Sequence, residues 1–150
     1  DPSSSSGYIY PGAMLVNAGL NLDKDISYQF SGGHDKSLQL LLNKDVDVIA
    51  TFDGVEDRYA KDFPQAKTDI QKLATSDMIP GVMVTTSGKM DKELQEKLEK
   101  ALRDIEKDPK MKEMFTKMFS ITGFTDVDQD AYKKVEATAK VMNVDLDKVK

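Results

Sequence analysis

Four consecutive hydroxyl side chains, Ser3 to Ser6, stand directly before Gly7 and an apolar stretch running from Tyr8 to Leu20. Serine hydroxyls donate hydrogen bonds, and the first backbone N–H groups of a helix have no partner within it. The helix dipole adds positive potential at the same end, so a start of this kind can hold an oxyanion. A second start of related design follows at Gly32-Gly33-His34-Asp35, where the chain's single histidine comes directly after two glycines. An imidazole placed there can donate to an anion gripped by the serine run. The composition of Asp1 to Gly7 also describes a flexible terminus or linker, and a lone histidine also serves as a cap or a surface residue. Both readings stand at the level of composition.

Other chemistries are less well supplied. Ser5, His34 and Asp53 are the residue types of a Ser/His/Asp hydrolase, yet the Gly-x-Ser-x-Gly elbow that would activate one particular serine is missing. No spacing of carboxylates around His34 suggests a metal site. The glycines form neither a dinucleotide fingerprint nor a P-loop, so no cofactor is indicated. The absence of cysteine removes disulfides, thiolate chemistry and cysteine-ligated zinc. A net charge of −5, with acidic residues spread along the chain, leaves no basic stripe for nucleic acid. A small anion is a different matter, because local donors and helix ends decide its binding.

These residues need elements to position them. With 150 residues, 39% of them hydrophobic and 31% charged, the chain has the balance of a domain with its own core. No apolar run approaches the ~20 residues needed to span a bilayer. No signal peptide is present and Asp1 is not a natural start, so the expectation is a mature protein or a piece of one. The first part alternates glycine turns with short periodic segments. A helix is expected over 7–20, with Pro11 near its first turn, and another over 34–43 with Leu38, Leu41 and Leu42 on one face. Residues 26–30, 46–52, 69–75 and 81–86 read as strands, the second of them buried, and 56–60 as a short helix. Strand and helix alternating at this spacing predict an α/β layer with a parallel-type sheet flanked by helices, the Gly32-Gly33-His34 loop lying at a ligand-binding edge.

The remainder is helical and charged. Asp91 caps a helix carrying Leu94, Leu98, Ala101, Leu102 and Ile105, and Asp108-Pro109 opens one with Met111, Met114, Phe115, Met118 and Phe119 on one face. A third helix is expected near 130–142. The methionine stripe reads as core, with an adaptable partner surface as the alternative.

Four segments in order resemble one family. Asp1-Pro2-Ser3-Ser4-Ser5-Ser6-Gly7-Tyr8 with Pro11, Phe30-Ser31-Gly32-Gly33-His34-Asp35, Lys44-Asp45-Val46-Asp47-Val48 and Ser76-Asp77-Met78-Ile79-Pro80 look like the phosphonate/phosphite group of ABC-transporter solute-binding proteins. The resemblance implies a type II periplasmic-binding-protein fold, no catalysis, and a location outside the cytoplasm, in the periplasm or on a cell-surface lipoprotein. It implies an oxyanion ligand (phosphonate, phosphite or phosphate), an ABC permease as partner, and membrane attachment only through that permease or a lipid anchor. Ser4, Ser5, Ser6 and His34 would bind the anion. Asp53 and Glu56 stand near the positions where family members hold an ammonium tail. No carboxylate follows Ile79-Pro80, which favours a smaller or neutral-tailed ligand. The family is longer than this chain, so residues 1–86 are expected to be the second lobe, with the interlobe crossing near 80–86. Residues 87–150 would be C-terminal helices packing on an absent first lobe. The same lobes also serve as ligand-sensing domains of signalling proteins, the alternative reading.

Overall fold

The computed structural model describes residues 1–81 and 83–144, and within these the chain is built of helices and irregular connections. Ser4 caps a π-helical turn, Ser5–Ile9, which continues as helix α1, Tyr10–Asn17. The wide turn has a local cause. Pro11 brings no N–H and its ring crowds the carbonyl four residues back, so the preceding turn opens. Accordingly the Ile9 N–H donates to the Ser4 carbonyl across five residues, at 3.0 Å. Gly19 closes α1 in the left-handed region, φ 93°, while the Leu20 N–H reaches back to the Leu15 carbonyl.

Helix α2, His34–Leu42, follows, then two single-turn helices, α3 (Val55–Arg58) and α4 (Ala66–Asp69). Helix α5, Lys92–Asp104, is capped by the Asp91 carboxylate, which accepts from the Leu94 N–H at 3.1 Å. A 3-10 turn, Ile105–Lys107, leads to α6, Pro109–Phe119, where Asp108 accepts from the N–H groups of Lys110 and Met111. Helix α7, Gln129–Val141, completes the set. The caps and first-turn proline expected at 91 and 108–109 are thus in place.

The expected α/β class is not. Among the described residues there is no strand and no sheet. Apolar, β-branched runs fit a pleated surface, but a sheet exists only where a neighbouring strand accepts and donates the ladder hydrogen bonds. Residues 26–30, 46–52, 70–75 and the described part of 81–86 pair in no ladder, and Val82 lies outside the described residues. Nor is 46–52 buried: Val48 is 62% exposed.

Two compact units result: Asp1–Pro80 together with the described residues from Asp130 onward, and Gly81–Gln129. In the first, Ile9, Tyr10 and Ala139 are buried together, with Tyr8, Ile79, Val135, Met142 and Val144 packed against them. Leu38, Val55 and Ala66 are buried as well, and α4 touches both α2 and α3. In the second, Ile105 is the buried apolar side chain among the described residues, and Phe115 meets the rings of Phe119 and Phe124. The methionine stripe is not core: Met111, Met114, Met118 and Phe119 all lie exposed along α6. Lys97–Glu93 at 2.6 Å and Lys117–Glu113 at 2.5 Å are solvated helix pairs that add little net stability.

Candidate functional site

The serine run is an ordered cap. The Ser4 hydroxyl oxygen accepts from the Gly7 N–H at 3.0 Å, and the Ser4 N–H donates to the Asp1 carbonyl at 3.1 Å. Ser3 is outside the turn and gives both its N–H and its hydroxyl proton to the Asp1 carboxylate. Ser4, Ser5 and Ser6 are half-buried. The Ser5 and Ser6 hydroxyls engage no protein group among the described residues.

His34 lies against this turn. A Cβ built on Gly7 would stand 2.9 Å from the Ser4 hydroxyl oxygen, 3.3 Å from Ser4 Cβ and 3.7 Å from His34 Cε1. Glycine at this position therefore lets the cap, the turn and the imidazole edge share one small volume. His34 is the first residue of α2, and its N-cap Gly33 has extended backbone, φ 177°, with no capping side chain. Ser31 braces the approach to α2: its hydroxyl donates to the Gly33 carbonyl at 2.9 Å and lies 2.7 Å from the Ser37 hydroxyl.

Two residues that sequence reasoning did not single out hold the imidazole. Thr51 Oγ1 is 2.9 Å from His34 Nδ1. The Phe52 ring meets the imidazole edge to face, with centroids 4.9 Å apart at 80°. Nothing in their spacing marks them, since they come from the end of the apolar 46–52 run, 17 residues from His34. Burial pushes the His34 pKa below that of a free imidazole, the Asp35 carboxylate opposing it in part. His34 is thus neutral at pH 7 and donates through one ring nitrogen only.

Asp53 and Glu56 are placed differently. Asp53 is exposed and ion-paired with Lys72, which holds its carboxyl below the ordinary range. Glu56 is half-buried at the start of α3. Neither touches Ser4, Gly7 or His34 among the contacts of the described residues. A Ser5–His34–Asp53 relay is therefore not assembled, because the Nδ1 that an aspartate would hold belongs to Thr51. Among the described residues no three His, Asp or Glu side chains come close enough to hold a metal ion.

Beside the site lies an aromatic trio. Tyr8, one residue after Gly7, has its ring centroid 5.1 Å from that of Phe30 and 5.8 Å from that of Tyr28. A hydrogen bond with Tyr28, then burial, pushes the Tyr8 hydroxyl up to about 12. The arrangement as a whole presents backbone N–H groups, serine hydroxyls and a neutral imidazole. All are uncharged donors, which suit an oxyanion and offer no nucleophile activated by a base.

Comparisons with known proteins agree with that chemistry. A family model described as ABC transporter, phosphonate, periplasmic substrate-binding protein matches residues 1–132. The Phosphate-import protein PhnD of Mycolicibacterium smegmatis is 33% identical over 106 residues, covering 65% of this chain and 33% of that protein. The chain thus spans about one third of the length of the curated relative it matches. The family match takes in the serine cap and His34.

Proposed function

This chain belongs to the ABC-transporter phosphonate periplasmic substrate-binding proteins, and from that premise we propose that it binds a phosphonate, phosphite or phosphate ion for delivery to a membrane permease. The family binds its solute without transforming it and works outside the cytoplasm. Among the described residues no helix is long and apolar enough to cross a membrane. In this reading, membrane contact runs through the permease, or through a lipid anchor of the kind carried by cell-surface lipoproteins.

One observation carries the proposal: the Ser4-capped turn and the His34 ring edge meet at Gly7. Ser4, Ser5 and Ser6 would donate hydroxyl protons to the anion, the turn its first N–H groups, and His34 its ring N–H. Charge-assisted bonds of this kind are the strong ones, about 1.5–3 kcal/mol each. Asp53 and Glu56 are proposed to face any ammonium tail, Asp53 at the cost of its bond to Lys72. With no carboxylate after Ile79-Pro80, a small or neutral-tailed oxyanion is the better match. The exposed apolar faces of α5 and α6, with Leu94, Leu98, Met114 and Met118, are proposed to pack on the other lobe of the binding protein. Closure of two lobes on the ligand would then be driven by its higher affinity for the closed state.

A thermal-shift panel with phosphate, phosphite, methylphosphonate, aminoethylphosphonate and sulfate tests this reading. Ligand at ~100 times its dissociation constant adds about 2.7 kcal/mol of stability. If none of the five moves the melting temperature, the proposal fails.

A further inference from the structure

We propose that Thr51 is a positioning residue that fixes His34 as the Nε2–H tautomer, so that the ring turns its one proton toward the oxyanion site at Ser4–Gly7. The inference rests on the oxyanion reading above and extends it from the residues that touch the ligand to the group that makes one of them a donor.

The hydrogen bond between Thr51 Oγ1 and His34 Nδ1, 2.9 Å, runs in one of two directions. If the threonine donates, Nδ1 is an acceptor and the proton of the neutral ring sits on Nε2. If the ring donates, Nε2 carries a lone pair and the threonine proton needs another acceptor. None is present among the described residues, because the bond to Nδ1 is the hydrogen bond that Thr51 Oγ1 makes. Nε2 likewise has no protein partner among the described residues. Either direction leaves one proton without a protein partner among the described residues, that of Nε2 in the first and that of the hydroxyl in the second. Only the first has a ring N–H to give the ligand, whereas the second sets a lone pair against an anion, which is repulsive. A neutral ring can also donate without adding a charge to the site.

The ring has little freedom to escape this assignment. Phe52 meets it edge to face, and the Cε1 edge stands against Gly7. A ring flip would put the Cδ2 carbon where Nδ1 stands and give up the Thr51 bond. The alternative role for Thr51 is a mere tie between the start of α2 and the 46–52 segment, with no consequence for the proton.

The chain holds one histidine, so a long-range proton–nitrogen NMR spectrum of the labelled 150-residue chain contains one imidazole pattern. In the ligand-free wild type near neutral pH, Nε2 is expected to carry the proton and Nδ1 to resonate as an unprotonated nitrogen. A proton on Nδ1, or an averaged pattern like that of free imidazole, overturns the proposal. Thr51→Val is expected to produce the averaged pattern and to weaken phosphate binding about three- to tenfold, the worth of one neutral hydrogen bond. Thr51→Ser, which keeps the hydroxyl, is expected to restore both. Weakened binding that serine does not restore shows a packing role and also overturns it. Should the wild type bind neither phosphate nor methylphosphonate, the oxyanion reading fails, while the ligand-free spectrum still decides whether Thr51 sets the tautomer.

Discussion

Gly7→Ala separates the proposed anion site from the scaffold that carries it. The added Cβ would lie 2.9 Å from the Ser4 hydroxyl oxygen, closer than a settled side chain tolerates, and 3.3 Å from Ser4 Cβ, a tight contact that a shift of a few tenths of an ångström relieves. The hydroxyl can rotate away, but only by surrendering its 3.0 Å bond from the Gly7 N–H. Losing a serine cap costs about 1 kcal/mol. Alanine in place of glycine within a helical turn returns about 0.5–1 kcal/mol. The net change in stability is therefore expected to be small, within about 1 kcal/mol, as read from urea denaturation. His34 Cε1, at 3.7 Å, is in ordinary contact and stays in place. Binding should suffer far more. The Ser4 hydroxyl is turned from its aligned position and the new methyl group occupies the space between cap and imidazole. Loss of one charge-assisted hydrogen bond weakens affinity at least about tenfold. Isothermal titration with phosphate measures that term. Gly19→Ala supplies the contrast: at φ 93° with no atom within 4 Å, it is expected to cost about 1 kcal/mol in backbone strain and leave affinity unchanged. Gly7→Ala binding phosphate as tightly as the wild type would refute the reasoning, because the shared volume at Gly7 would then not be the site.

The other expectations concern the framework around this point. Leu38 is fully buried one turn after His34, so Leu38→Ala should cost about 3 kcal/mol in urea unfolding and weaken phosphate binding with it; a loss below about 1 kcal/mol would mean that α2 is not anchored there. Tyr10 is 5% exposed, and its buried hydroxyl makes no hydrogen bond of normal geometry. Tyr10→Phe should therefore leave stability unchanged or raise it by up to about 1 kcal/mol, and a clear loss in thermal melts would reveal a partner. His34 has a lowered pKa, so the unfolded chain binds its proton first as the medium is acidified. Stability should thus fall as pH drops from about 6.5 toward the folded value and be flat above it for this group. Urea midpoints across that range, compared with His34→Gln, test the sign.

The chemistry of the donors could be read directly. Ser4 at the cap, Gly7 behind it and His34 after two glycines are local signals, because capping and turn geometry are decided within a few residues. The same holds for Asp91 and Asp108, whose carboxylates accept from the N–H groups that their spacing predicts. Local rules failed where a partner was needed. The 46–52 run carries the composition of a buried strand, yet Val48 is exposed and no ladder forms among the described residues. The α6 stripe has the periodicity of a core face, yet Met114 and Met118 are uncovered. Periodicity tells which residues share a face and not what covers it.

What the sequence determined by itself, then, is the inventory of donors, the helix starts that carry them and the family that uses them. Tertiary structure decided how they meet. It brought the His34 edge to Gly7, supplied Thr51 from 17 residues away to hold Nδ1, and drew Asp53 off to Lys72. The physical reason is range: a cap bond closes over three residues, whereas the partner of a half-buried imidazole is whichever hydroxyl the fold delivers.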